Sequence, residues 1–85
     1  MSNIVFKKDI NYMKVSKAQA IVFIYEQLLN NEFITKEDIQ SAISISDVTF
    51  RRYIQELRAY LVNFNKESEI VFEKKCKEYL LVKRA

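Results

Sequence analysis

The chain has 85 residues, a net charge of +3, one cysteine, and no histidine, glycine or proline. Those absences exclude a phosphate loop and a dinucleotide fingerprint, both of which need glycine, an ordinary zinc site, and a Ser-His or Cys-His nucleophile pair. With 49% hydrophobic residues and 13% aromatics the chain reads as one globular domain with one small core, and its longest apolar run, residues 20–25, is far short of the ~20 residues that span a bilayer.

Residues 1–15 have no clear period and are expected to form an N-terminal arm or a short strand around Ile4, Val5 and Phe6. The N-terminus lacks the basic-then-apolar order of a secretory leader. Together with the lone cysteine, this places the expectation in a reducing cytoplasm, with no membrane segment. Ser16 and Gln19 have capping-box spacing. Ile21, Ile24, Tyr25 and Leu28 then recur at helical intervals, which predicts a first helix over 17–31. Asn30 and Asn31 are expected to stop it through a left-handed residue. Phe23 lies almost opposite the apolar centre of that helix, among Gln19, Glu26 and Asn30. Its cover is expected from residues 4–6 of the same chain. The sharper alternative is a partner, either a second copy in a homodimer or another protein.

Phe33 and Ile34 read as a short extended link. Thr35 and Asp38 have the spacing of an N-cap and its partner, so KEDIQSAI is expected to form a second helix of about two turns, anchored by Ile39, Ala42 and Ile43. Ser44 and Ile45 interrupt it. Ser46 is suited to cap a third helix, in which Phe50, Ile54, Leu57 and Leu61 share a narrow arc. Further on, EIVFE alternates, KKCK reads as a turn and EYLLV as the returning strand. The expected fold is therefore mostly α with a small β-sheet, an α+β chain of three helices and a C-terminal hairpin. No linker or low-complexity segment divides it, and no effector domain is expected.

The charge is uneven. Residues 1–15 hold three lysines against one aspartate, a net of +2, and residues 74–85 hold five basic groups against one acid, a net of +4. Residues 32–46 and 62–73 each come to −2, with three acids against one lysine. Clustering of basic charge suits a polyanionic partner. A short helix, a turn and a longer helix with a polar outer face is the helix-turn-helix arrangement. The first residues of the later helix then enter a major groove, where base edges carry a distinguishable donor and acceptor code. On this reading Ser46 caps the helix, Asp47 and Val48 begin the face that meets the groove, and Ser46 and Thr49 hold phosphate. Arg51 and Arg52 reach bases or backbone, and Gln55 has the chemistry to read adenine. Lys74, Lys75 and Lys77 form a basic hairpin tip beside the duplex, with Cys76 exposed and incidental among them. The competing interpretation is an amphipathic helix with solvated arginines.

The stretch ITKEDIQSAISISDVTFRRYIQELRAYL resembles the winged helix-turn-helix of DeoR-type repressors, and more closely the reader domains of Mga-type and sugar-operon activators. Ile43, Ser44, Ile45 and Ser46 stand at the turn, followed by Thr49, Phe50, Arg51 and Arg52, with Leu57 at the family's leucine. LVNFN and the wing-like KKCKEYLL extend the resemblance over residues 16–83. It implies a winged helix-turn-helix domain over 16–83, binding of double-stranded DNA and transcriptional control, usually as a dimer. Ser46, Thr49, Arg51 and Arg52 match the DNA-contacting positions. Two positions depart from the pattern. Ser44 stands where the family has a turn glycine, which would cost about 1 kcal/mol if a positive φ were kept. Glu78 stands where glycine often precedes the wing aromatic. The combined expectation is a small stand-alone repressor without cofactor, metal or catalytic activity. The alternative is a winged helix that binds proteins without reading DNA sequence.

Overall fold

A computed structural model describes residues 14–64 and 66–84. Three helices precede a two-stranded antiparallel hairpin: α1 (Lys17–Asn30), α2 (Lys36–Gln40), α3 (Asp47–Asn63), β1 (Ser68–Glu73) and β2 (Glu78–Lys83). This is the expected α+β layout with the hairpin in the place of a wing. The arm or strand expected before residue 14, with its suggested cover for Phe23, lies outside the described residues.

Each helix starts where local chemistry starts it. Ser16 Oγ accepts the Gln19 N–H at 3.1 Å, and Gln19 Oε1 accepts the Ser16 N–H at 3.2 Å. Thr35 and Asp38 repeat this box at 3.1 and 3.0 Å. Reciprocal bonds of this kind satisfy amides that have no partner within the helix. The end of α1 differs from expectation. Asn31 is extended (φ −126°, ψ 155°) rather than left-handed, and its side-chain amide donates to the Gln27 carbonyl at 2.8 Å. That bond ends the helix without any residue entering the left-handed region. Ser44 also keeps a negative φ, since Lys77 is the single positive-φ residue among those described. The turn-glycine cost considered for Ser44 is therefore not incurred.

Regular α2 is shorter than the two turns expected over 36–43. Its last turn tightens at Ser41 and Ala42, although the Ile43 N–H still reaches the Ile39 carbonyl at 3.0 Å. Ile39 and Ile43 are both buried, so the anchoring side chains are those the spacing indicated.

The core joins Ala20, Ile24 and Leu28 of α1, Ile34 of the link, Ile39 of α2 and Ile43 just after it, Phe50, Ile54, Leu57 and Leu61 of α3, and Ile70 of β1. Burying a large apolar side chain such as Phe50 or Ile54 stabilises by about 1.5–3 kcal/mol. Val15, Ala42 and Ile45 pack against this cluster, so Ile45 pins the α2–α3 turn as its place in the sequence suggested. In the hairpin Ile70 faces Leu81 and Phe72 faces Tyr79. Ile34 adds a bridge on the far side of β2, exchanging backbone bonds with Tyr79 at 2.9 and 2.7 Å. β2 is thus held at Tyr79 by both neighbours, and Arg58 Nε ties α3 to the Ile70 carbonyl at 3.3 Å. Among the described residues no helix is long and apolar enough to cross a membrane.

Candidate nucleic-acid interface

The α2–α3 junction is braced by side chains. Ser46 Oγ accepts the Thr49 N–H at 3.1 Å and donates to Thr49 Oγ1 at 3.1 Å, which starts α3. Asp47 turns back toward α2. Its carboxylate accepts from Gln40 Nε2 at 2.8 Å and from Lys36 Nζ at 3.1 Å. The same Gln40 amide reaches the Ile45 carbonyl at 3.2 Å. These bonds tie the two helices together across the turn, over the buried Ile39, Ile43 and Phe50. The Gln40 and Lys36 hydrogen bonds keep the Asp47 carboxyl below its ordinary value of 3.8, with further help from the charges of Lys36 and Arg51. Asp47 therefore serves as a brace, where the sequence reading had it facing the groove.

Beyond that brace, the outer face of α3 is open. Val48 is half exposed, and Arg51, Arg52 and Gln55 are exposed. Thr49 is partly covered. Among the described residues the ion pairs are Lys17–Glu56 at 3.6 Å and Lys36–Asp47, so neither arginine is engaged by an acid. A cleft of about 350 Å³ runs along one flank, lined by Lys17, Thr49, Arg52, Tyr53, Gln55 and Glu56. A second, of about 210 Å³, lies on the flank facing the hairpin and includes Arg51.

The hairpin brings more positive charge to that second flank. Lys74, Lys75, Cys76 and Lys77 are all exposed at its tip, and Cys76 is a free thiol. Lys77 closes the turn with φ 56°, the conformation in which glycine is least strained. Tyr79 sets the position of the hairpin. Its ring meets Phe50 of α3 edge-on at 5.3 Å and lies 4.7 Å from Phe72. Glu78 sits opposite Glu73 at the hairpin mouth. Like charges directly opposite destabilise a pair of strands modestly.

The structure thus gathers Thr49, Arg51, Arg52, Gln55 and Lys77 around two flanks of one helix, while Lys74 and Lys75 extend beyond at the tip. Sequence reasoning missed Lys36 and Lys17, which line the two clefts from other elements. For Lys36 the available signal was its place in the first turn of a helix leading into the turn motif. Phe23 is the residue for which a cover was expected. It is partly buried and packs against the core, and the exposed apolar residues of α1 are Val22 and Leu29. An exposed group at the far end of α3, Tyr60, Val62 and Phe64, was also missed. No family model, curated protein or solved structure matches the chain.

Proposed function

We propose that this chain is a winged helix-turn-helix reader of duplex DNA that regulates transcription, with the first turns of α3 in the major groove. The observation that carries the reading is the outer face of α3. Two arginines with no acid partner among the described residues and a free glutamine project from a helix tied to α2 by the Gln40–Asp47–Lys36 bonds. A rigid frame is what base readout needs, because a guanidinium must meet two acceptors in one plane. In this reading Ser46 and Thr49 lie against the backbone, Arg52 and Gln55 read base edges, and the lysines of the hairpin tip contact phosphates.

Selection of duplexes from a random pool tests this, followed by titration of the selected site and a scrambled control at two salt concentrations. The expected result is a preferred site at least about a hundredfold tighter than the control, with binding that falls steeply with salt. Equal weak binding to both duplexes, lost together as salt rises, refutes sequence-specific reading.

A second reading, a protein-docking module or homodimer, draws on α1. Val22 and Phe23 line an open and mainly apolar groove of about 300 Å³ with Ala18, Gln19 and Glu26. Substitution of Val22 and Phe23 that abolishes activity while Arg52→Ala is silent would favour it, and sedimentation at high concentration tests the dimer.

A further inference from the structure

The two adjacent arginines of α3 do not share surroundings. One residue along a helix is a rotation of about 100°, so neighbours point to different flanks. Arg51 lines the cleft toward the hairpin with Lys36 and Glu37 of α2 and with Phe72, Lys77 and Tyr79. Arg52 lines the opposite cleft with Thr49, Gln55 and Glu56.

The hairpin-side cleft collects cations from three elements: Lys36 from α2, Arg51 from α3 and Lys77 from the hairpin turn. Glu37 is the one acid lining it, and Lys36 is already engaged by Asp47 at 3.1 Å. Arg51 and Lys77 are left facing one cleft with no acid bonded to either among the described residues. The hairpin backbone that carries Lys77 is anchored close by. Tyr79, two residues after Lys77, is packed on Phe50 and Phe72 and is bridged to Ile34 through both backbone groups. Two like charges lining one cleft repel each other, and an anion seated between them reverses the sign of the interaction. Guanidinium and ammonium together suit a phosphodiester, one by paired hydrogen bonds and the other as a point charge.

We infer that this cleft seats one backbone phosphate of the duplex, clamped between Arg51 and Lys77. Arg51 then fixes the position of the protein on the backbone, and sequence reading passes to Arg52 and Gln55 on the other flank. The assignment rests on the DNA reading above and gives the two adjacent arginines separate tasks.

The test uses the full chain and the selected duplex, with each phosphate in turn replaced by a neutral methylphosphonate. Wild type, Arg51→Ala, Lys77→Asn and Arg52→Ala are titrated. Asparagine tolerates the left-handed backbone, so Lys77→Asn removes the charge with little change of conformation. One neutral position should weaken wild type by about tenfold or more, the size of a lost charge-assisted hydrogen bond. That position should have a smaller effect on Arg51→Ala and on Lys77→Asn than on wild type, since each variant keeps one of the two cations. Both variants should keep the wild-type ranking of duplexes while the salt slope drops by about one contact. Arg52→Ala should change the ranking. A changed ranking in Arg51→Ala, or no neutral position whose effect shrinks in both variants, overturns the clamp while leaving DNA binding intact. A wild type that prefers no duplex overturns the DNA reading itself, and the clamp with it.

Discussion

Replacing Lys77 by glycine should make the protein more stable and a weaker DNA binder at once. Lys77 holds φ 56°, where a side chain costs about 1–2 kcal/mol relative to glycine. Glycine returns part of that, because the unfolded chain gains entropy of about 0.4–1 kcal/mol. The net gain is about 0.5–1 kcal/mol for Lys77→Gly over Lys77→Ala, two variants that both lack the charge. For a domain of this size each kcal/mol moves the melting temperature by about 4–8 °C, so the pair should differ by about 2–8 °C. The assay is thermal unfolding of both variants followed by circular dichroism, with DNA affinity measured in parallel. Both should lose the same affinity, about one phosphate contact in the salt slope. An alanine variant as stable as the glycine variant would refute the backbone argument. Affinities that differ between the two would show that the tip acts through its conformation and not through the charge of Lys77.

Other substitutions probe the brace and the reading face. Ser46→Ala removes the oxygen that starts α3 and should cost about 1 kcal/mol in chemical denaturation, with glycine at the same position costing less. Asp47 has a lowered pKa in the folded chain, so its contribution is present above the ordinary value of 3.8 and is lost as pH falls through the folded-state value. Asp47→Asn should therefore lower the melting temperature at neutral pH and converge with wild type in strong acid, and a constant gap across pH would remove the carboxylate's bonds to Gln40 and Lys36 as the cause. Leu57→Ala in the buried seam should cost about 2–5 kcal/mol by denaturant unfolding, a large share of the stability of a chain this small. Arg52→Ala should weaken the preferred duplex by about 1–3 kcal/mol while sparing the scrambled one, as titration of both would register.

The helix starts were legible because a cap is a matter of three residues. Ser16 with Gln19, Thr35 with Asp38, and Ser46 each needed only i to i+3 spacing. The buried seam of α3 was equally plain, since Phe50, Ile54, Leu57 and Leu61 follow the helical repeat whatever packs on them. Helix ends were less legible. Asparagine can stop a helix through a left-handed backbone or through its side-chain amide, and the sequence does not choose between them. At Asn31 the side-chain bond to Gln27 made the choice.

By itself the sequence determined the α+β order, the caps, the core stripe of α3 and the basic tip of the hairpin, because each depends on neighbours within a few residues. Tertiary structure alone decided what the charged groups do. Asp47 finds Gln40 and Lys36, seven and eleven residues away, only once the turn folds α2 against α3. Lys77 comes to share a cleft with Arg51 only because Tyr79 is fixed between Ile34, Phe50 and Phe72. Local hydrogen bonds and the turn of a helix can be read along the chain, but the partner of a charge is set by how the chain packs, and that is why two adjacent arginines meet different neighbours.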